Sequence, residues 1–522
     1  MDKATTSKWR SSTPYMVFCC AVFSLGNLLY GLDVASFGAI QALPSWLSQF
    51  GQLQPNGAYK LSTKRKAIMN SVVWPGKLTG TLIFDSILQR LGFKKTAVLV
   101  ACIQIIALII ELSAKEWQQY CVGRVFAYLA VGIVENIVPA YHAELAPSEI
   151  RGFFAGSIQV FVHIGAVWAS SVAKAYDTEQ GHAGWIIPTA QQLIPGILLL
   201  LLVPFCIESP RWLLLRGQNE QALTNINKIR PREDVQSGAT LLEIEAIDQA
   251  NREIEATKSY WGELLKWTYT KRAMITATCF FFNEVTGQQF VNSYGPSFYK
   301  SIGLGSKTFT YNIIVTLAGL IACVIAIFTT DRVGRVPLCV LSMVLTTIFN
   351  CLVASVGSMQ HPTSTQRNTV IASIILINFS AKIGISSQCY VIGSEIGGTR
   401  MRKKIMAVGT AADVVSAFLV TFFTPYIQDG PQIQLGARTA YIWMGCSVAA
   451  IFFCALAIPE LKSRSLEEVD ELFAKQLRPW RFRNAHTTGV GARLHQIEQG
   501  HVVGKPEMDI ERIEVCNKVS RK

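Results

Sequence analysis

Residues 67–113 read AIMNSVVWPGKLTGTLIFDSILQRLGFKKTAVLVACIQIIALIIELS. Two mostly apolar runs, 67–88 and 95–113, flank the basic turn Arg90-Leu91-Gly92-Phe93-Lys94-Lys95. Each run has the roughly 20 residues a helix needs to cross a hydrocarbon core about 30 Å thick. Within lipid only helices and closed barrels satisfy their own backbone polar groups. The ten-residue alternation of barrel strands is absent. The stretch therefore predicts two membrane-crossing helices joined by a tight turn at Gly92.

Working outward, the same test finds windows at 15–37, 118–141, 152–173, 185–207, 273–299, 309–330, 336–357, 369–393, 405–427 and 438–458, twelve in all with the first two. The window at 15–37 is too long for a signal-peptide core, and no small-residue cleavage pattern follows it, so it reads as a retained span. Residues 208–272 are charged and amphipathic, with Leu241, Leu242, Ile244 and Ile247 set among acids, and 459–522 are polar. The expected division is a cytoplasmic N-terminus (1–14), a six-helix bundle (15–207), a cytoplasmic linker (208–272), a second six-helix bundle (273–458) and a cytoplasmic tail (459–522).

Composition agrees with an all-α integral membrane fold. Half the residues are hydrophobic and 16% are charged, against about a quarter charged in a soluble protein, and mean hydropathy is +0.31. The net charge of +13 sits in clusters beside apolar runs, as in membrane loops, which argues against nucleic acid as a partner. Short loops carry as many Lys and Arg on one side as on the other, including the run Lys64-Arg65-Lys66. The N-terminus, linker and tail decide for both termini inside. The 13 Cys residues show no metal-ligand spacing and read as small hydrophobes. No nucleophile–base constellation or phosphate loop is present, so neither an enzyme nor a cofactor is expected.

The two halves echo each other. Arg90 is matched by Arg332 at an offset of 242, Glu144 by Glu395 at 251, and Glu208 by Glu460 at 252. A repeat of this length, with six spans in each copy, implies two bundles with a binding site between them near the bilayer midplane.

Six motifs stand in order along the chain. They are Gly123-Arg124, Pro139-x-Tyr141-x-x-Glu144-x-x-Pro147-x-x-x-Arg151-Gly152, Glu208-Ser209-Pro210-Arg211-Trp212-Leu213, Thr286-Gly287 before Tyr294, Asp331-Arg332-Val333-Gly334-Arg335, and Pro459-Glu460 with Leu466-Glu467-Glu468. On these the chain resembles the sugar porter family of major facilitator transporters, over about residues 25–475. The resemblance implies transport of a sugar-like solute by alternating access, in a multi-pass plasma-membrane protein. It implies a cytoplasmic gate of Glu144, Arg151, Arg332, Glu395 and Arg402. It places Gln159, Asn283, Glu284, Gln289 and Tyr390 where sugar porters contact substrate: amides offer both donor and acceptor to hydroxyls, and an aromatic ring stacks on the sugar. The alternative for each is a helix–helix hydrogen bond. Asp33, in Tyr30-Gly31-Leu32-Asp33, and Arg124 match the pair that couples protons in symporting members; the alternative is a static buried ion pair.

The chain departs from the family pattern at Gln89, Glu284, Ser386-Ser387, Gly397 and Ala411-Ala412-Asp413-Val414. These changes put plain glucose in doubt and leave open a sugar acid, a disaccharide, a polyol or a secondary metabolite. The competing readings are a non-sugar metabolite on the same scaffold, a facilitative uniporter, and a nutrient sensor, which the short ordinary tail and the Asp33–Arg124 pair disfavour. Lys77, Glu135, Lys382 and Asp413 also lie inside apolar spans, where ionisable groups are costly and usually functional, and the family pattern does not explain them.

Overall fold

The computed structural model describes residues 12–485, apart from 56, 58, 257–259, 360–362, 399–400, 431, 463 and 465. The first half comprises α1 (Pro14–Ile40), α2 (Pro44–Phe50), α3 (Thr63–Ser71), α4 (Val73–Leu112), α5 (Trp117–Leu145), α6 (Ser148–Ala175), α7 (Ala183–Ala190) and α8 (Leu193–Leu202). A two-stranded hairpin, β1 (Gln52–Leu53) with β2 (Tyr59–Lys60), caps one end of it. The linker contributes α9 (Pro210–Leu215), α10 (Asn219–Ile229), α11 (Arg232–Gln236) and α12 (Ala239–Ala256). The second half comprises α13 (Trp267–Val285), α14 (Gln288–Ser301), α15 (Thr308–Val333), α16 (Arg335–Gly357), α17 (Ser364–Ile383), α18 (Ile385–Ile396), α19 (Arg402–Asp429) and α20 (Ala440–Leu456), with α21 (Leu466–Ala474) in the tail.

Ten stretches among the described residues are long and apolar enough to cross a membrane. The expected twelve crossings are reconciled with this number by two local features. Thr63–Leu112 is one continuous stretch that holds two crossings, because the chain reverses at Gly92 (φ 80°, ψ 178°). The seventh crossing, α13 with α14, is too polar to qualify by composition, since it carries Asn283, Glu284, Gln288, Gln289 and Asn292. Its polarity is the first sign of where the functional site lies.

The turn at Gly92 has a counterpart at Gly334 (φ 107°, ψ 167°), a backbone region open essentially to glycine alone. Both turns are held in the same way. Glu208 accepts from the backbone N–H of Phe93 at 2.7 Å and of Lys94 at 3.1 Å, and Glu460 accepts from those of Arg335 and Val336, each at 3.1 Å. A distant carboxylate thus satisfies N–H groups that a helix start leaves without internal partners. Burial pushes the Glu208 carboxyl up, and these backbone donors, together with Ser209 N–H, oppose that rise. The offset read from the sequence therefore corresponds to a repeated structural device.

Side-chain packing is organised by half. Phe23, Phe93, Ile133, Tyr141, Ile226 and Ile229 join one core, so α10 of the linker seals the end of the first half. Cys279, Phe280, Ile392, Val469, Leu472 and Phe482 join another, so α21 does the same for the second half. Arg272 pairs with Asp470. Within the first half, α1 and α6 cross so closely that a Cβ at Gly165 would lie 2.4 Å from the carbonyl oxygen of Leu28, the small-residue contact common between membrane helices.

Candidate functional site

A cavity of about 120 Å³ lies between the halves. Two broken helices build its wall on the second half. The seventh crossing unwinds at Thr286-Gly287, where Gly287 takes φ 100° and the Nδ2 of Asn350 donates to the freed Thr286 carbonyl at 3.1 Å. The tenth breaks at Gly384 (φ −108°, ψ −107°) between α17 and α18. Interrupted membrane helices expose backbone and polar side chains where a solute can use them.

All five residues expected to contact substrate, Gln159, Asn283, Glu284, Gln289 and Tyr390, line this cavity. The Nδ2 of Asn283 donates to Glu284 Oε1 at 2.7 Å and to Asp413 Oδ1 at 3.4 Å. Gln289 donates to Ser293 at 3.1 Å. The ring of Tyr390 stands edge-on to Phe280, 5.0 Å between centroids, and its hydroxyl donates to Glu135 Oε1 at 3.0 Å. Gln288, passed over in the sequence, also lines the cavity and accepts from the hydroxyl of Ser386; the tandem Gln288-Gln289 was its only signal.

The charges the family pattern leaves unexplained converge here. Lys77 Nζ is 3.1 Å from Glu135 and 3.7 Å from Asp413, and the rings of Tyr30 and Trp74 face it at 5.4 and 5.6 Å. The first half supplies Lys77 and Glu135, the second Asp413 and the hydroxyl of Tyr390. A compact ion cluster therefore bridges the halves beside the cavity.

Asp33 and Arg124 come together next to this cavity, not in its lining. Asp33 Oδ1 is 4.0 Å from the guanidinium, and both side chains are buried. Arg124 lies over Phe37 at 3.9 Å and Tyr128 at 5.2 Å, and donates to the Met69 carbonyl at 3.4 Å. Oδ2 of Asp33 is buried without a hydrogen-bond partner. Glu111 is a second buried acid at this pair, within the electrostatic reach of both Asp33 and Arg124. Gly123 makes room for it, since a Cβ there would meet Glu111 Cγ at 2.5 Å. Sequence reasoning missed Glu111 because a single acid at the end of an apolar run reads as a residue at the membrane surface.

Two of the gate carboxylates bond within their own halves. Glu144 accepts from the Ser209 hydroxyl in the first half. Glu395 pairs with Arg335 in the second at 2.8 Å, so the last residue of Asp331–Arg335 supplies its partner. The backbone carbonyl of Arg332 accepts from Lys462 at 2.6 Å, and Arg402 opens α19 in an exposed position. The side chain of Arg151 lies outside the described residues.

At the opposite ends of the bundles the halves are tied together. Gln41 donates to the Ser293 carbonyl at 2.6 Å, Thr63 to the Asp429 carbonyl at 3.0 Å, and Trp74 to Thr421 at 2.9 Å. Lys66 pairs with Asp429 at 3.5 Å, and Lys300 donates to the Ala42 carbonyl.

Known proteins share this fold. The chain is 27% identical over 479 residues to the low-affinity glucose transporter HXT3 of Saccharomyces cerevisiae, covering 89% of this chain and 83% of the relative. It is also 27% identical over 484 residues to the hexose transporter HXT9 of the same organism, covering 88% and 83%. Among solved structures, the xylose transporter XylE from E. coli in a partially occluded inward open conformation superposes with a TM-score of 0.72 at 20% identity. That match covers 86% of this chain and 99% of XylE. The major facilitator proton:xylose symporter XylE bound to 6-bromo-6-deoxy-D-glucose gives 0.70 at 23%, covering 88% and 99%. Residues 19–473 match the family described as Sugar (and other) transporter, and with twelve crossings arranged as two halves around one polar cavity, this multi-pass membrane protein belongs to that family.

Proposed function

We propose that the chain carries a sugar or sugar-like solute across the plasma membrane by alternating access, with a proton moving in the same direction. The observation that carries this reading is the cavity between the halves, where Gln159, Asn283, Glu284, Gln289 and Tyr390 converge from both bundles. Amides beside an aromatic ring suit a polyhydroxylated ring. Relatives named for glucose and hexose transport support the solute class.

Alternating access needs two sets of contacts that exchange. One set is made, tying the halves through Gln41, Thr63, Trp74 and Lys66. The other consists of Glu144, Arg151, Arg332, Glu395 and Arg402 at the linker-side ends, where Glu144 and Glu395 bond within their own halves. We assign those ends, the linker and both termini to the cytoplasm, so the ties through Gln41, Thr63, Trp74 and Lys66 close the outer side. Asp33, buried with one unpartnered carboxylate oxygen beside Arg124, is the proton carrier: protonation loosens the ion pair and frees the first half to rearrange. The structural relative titled a proton:xylose symporter supports the coupling.

A second reading, a non-sugar metabolite on the same scaffold, is favoured by the Lys77–Glu135–Asp413 cluster at the cavity. Uptake of a labelled solute panel into vesicles, with and without an imposed proton gradient, separates these. Sugar uptake that accumulates with the gradient supports symport. Sugar uptake that ignores the gradient makes the protein a uniporter, and uptake of non-sugar solutes alone overturns the sugar reading.

A further inference from the structure

The ionisable side chains lining the cavity are not equally satisfied. Lys77 is paired with Glu135 and Asp413. Asp413 and Glu284 both accept from Asn283. The ring of His163 sits 2.8 Å from the Gln159 carbonyl and 3.6 Å from Cys323 Sγ. Lys382 is different. It projects into the cavity from the last turn of α17, beside the break at Gly384. Among the described residues its ammonium has neither an ion pair nor a hydrogen bond. A positive charge on a membrane-crossing helix without a bonded partner is costly. The cavity itself is the space into which a partner fits.

The surrounding groups restrict what that partner is. Asn378 lies one turn before Lys382 on the same helix face and lines the cavity, with its Oδ1 unpartnered. The Gln159 side chain faces the cavity from the first half. These are acceptors and donors for hydroxyls. Asp413 pairs with Lys77 and Glu284 bonds Asn283. Glu284 and His163 lie within electrostatic reach of Lys382 without a hydrogen bond or ion pair to it, which leaves the Lys382 ammonium open to a bonded solute.

We propose that the substrate is an acidic sugar, a polyhydroxylated monocarboxylate whose carboxylate pairs with Lys382 while its hydroxyls meet the amides. This rests on the reading of the cavity as a sugar-transport site. A charge-assisted bond from ammonium to carboxylate is short and strong. A neutral sugar leaves the ammonium unpaired, which builds discrimination against it into the site. The same chemistry fits the coupling at Asp33. A monoanion entering with one proton moves no net charge, so an interior-negative potential does not oppose its uptake.

The test uses purified full-length protein in proteoliposomes and two pairs of labelled probes that differ only at C6: D-glucose with D-glucuronate, and D-galactose with D-galacturonate. The wild type is expected to prefer at least one acid over its neutral partner by about tenfold or more in kcat/KM. Lys382→Met should erase that preference and Lys382→Arg should retain it, with monodisperse elution confirming that both variants fold. Acid uptake should follow an imposed pH gradient and ignore an imposed potassium diffusion potential. Uptake of the neutral sugars with no acid preference, or a preference that Lys382→Met leaves intact, overturns the proposal while sugar transport stands. Uptake of none of the four probes by folded wild-type protein overturns both readings.

Discussion

Replacing Lys77 by methionine keeps most of the side chain's volume and deletes its charge. Lys77 is 2% exposed, with its ammonium 3.1 Å from Glu135 and 3.7 Å from Asp413. In the variant, Glu135 keeps the Tyr390 hydroxyl and Asp413 keeps the Asn283 amide, but no cation balances the two acids. Leaving an uncompensated buried charge costs about 3–5 kcal/mol. The alternative is protonation of one carboxyl. Ordinary carboxyls titrate near pH 4, so keeping one neutral at pH 7 costs about three pH units at about 1.4 kcal/mol each, roughly 4 kcal/mol in total. At pH 5 the same protonation costs only about 1.4 kcal/mol. Stability lost by Lys77→Met should therefore be about 4 kcal/mol at pH 7 and recover relative to wild type as pH falls. Asp413→Asn added to Lys77→Met should restore much of it at pH 7, because one of the two unbalanced charges is gone. Thermal unfolding of detergent-solubilised protein at pH 5 and pH 7, read by fluorescence-detected size exclusion, measures all three effects. A Lys77→Met midpoint equal to wild type at pH 7, or a deficit that neither acid nor Asp413→Asn lessens, refutes the reasoning.

Asp33→Asn cannot ionise yet keeps much of the shape, so it should abolish uphill accumulation and flatten the pH dependence of uptake while downhill exchange survives; uphill accumulation by the variant removes Asp33 from the coupling. Gly334→Ala should destabilise by about 1–3 kcal/mol or more, since φ is 107° and a Cβ would lie 2.9 Å from the Glu460 carboxylate. Gly238→Ala, at φ 77° with nothing within 4 Å of the Cβ, should cost less, and equal melting shifts for the two count against the carboxylate-held turn. Gln218→Cys, placed on an exposed linker position, should resist a membrane-impermeant thiol reagent in intact cells and react once they are opened; labelling above the background of the unsubstituted protein in intact cells reverses the assigned orientation.

The scaffold was legible because lipid imposes one rule on every crossing. Twelve windows could be found by apolar length, and the one at 273–299 is the most polar of them. The structure explains why: Asn283, Glu284, Gln288 and Gln289 surround a broken helix that faces the cavity. The repeat was legible too, since Glu208 and Glu460 perform the same backbone-capping task at matched turns. Contacts between the halves were not. Lys77, Glu135 and Asp413 are far apart in the chain, and nothing local in their spacing announces that three helices deliver them to one cluster. Arg335 was overshadowed by Arg332 in the same motif, although it is Arg335 that reaches Glu395.

The central claim is that solute crosses by binding in the cavity between the halves, and counterflow measures this most directly. Proteoliposomes are loaded with unlabelled solute, diluted into a trace of the labelled form, and followed for transient accumulation. Using the solute that the uptake panel identifies, wild-type protein should show a saturable overshoot. The Gln159→Ala and Gln289→Ala variants, which each remove one cavity amide, should lose most of it at low solute concentration while still reconstituting normally. A flux that neither saturates nor overshoots contradicts a carrier mechanism, and an overshoot untouched in both variants contradicts this cavity as its site.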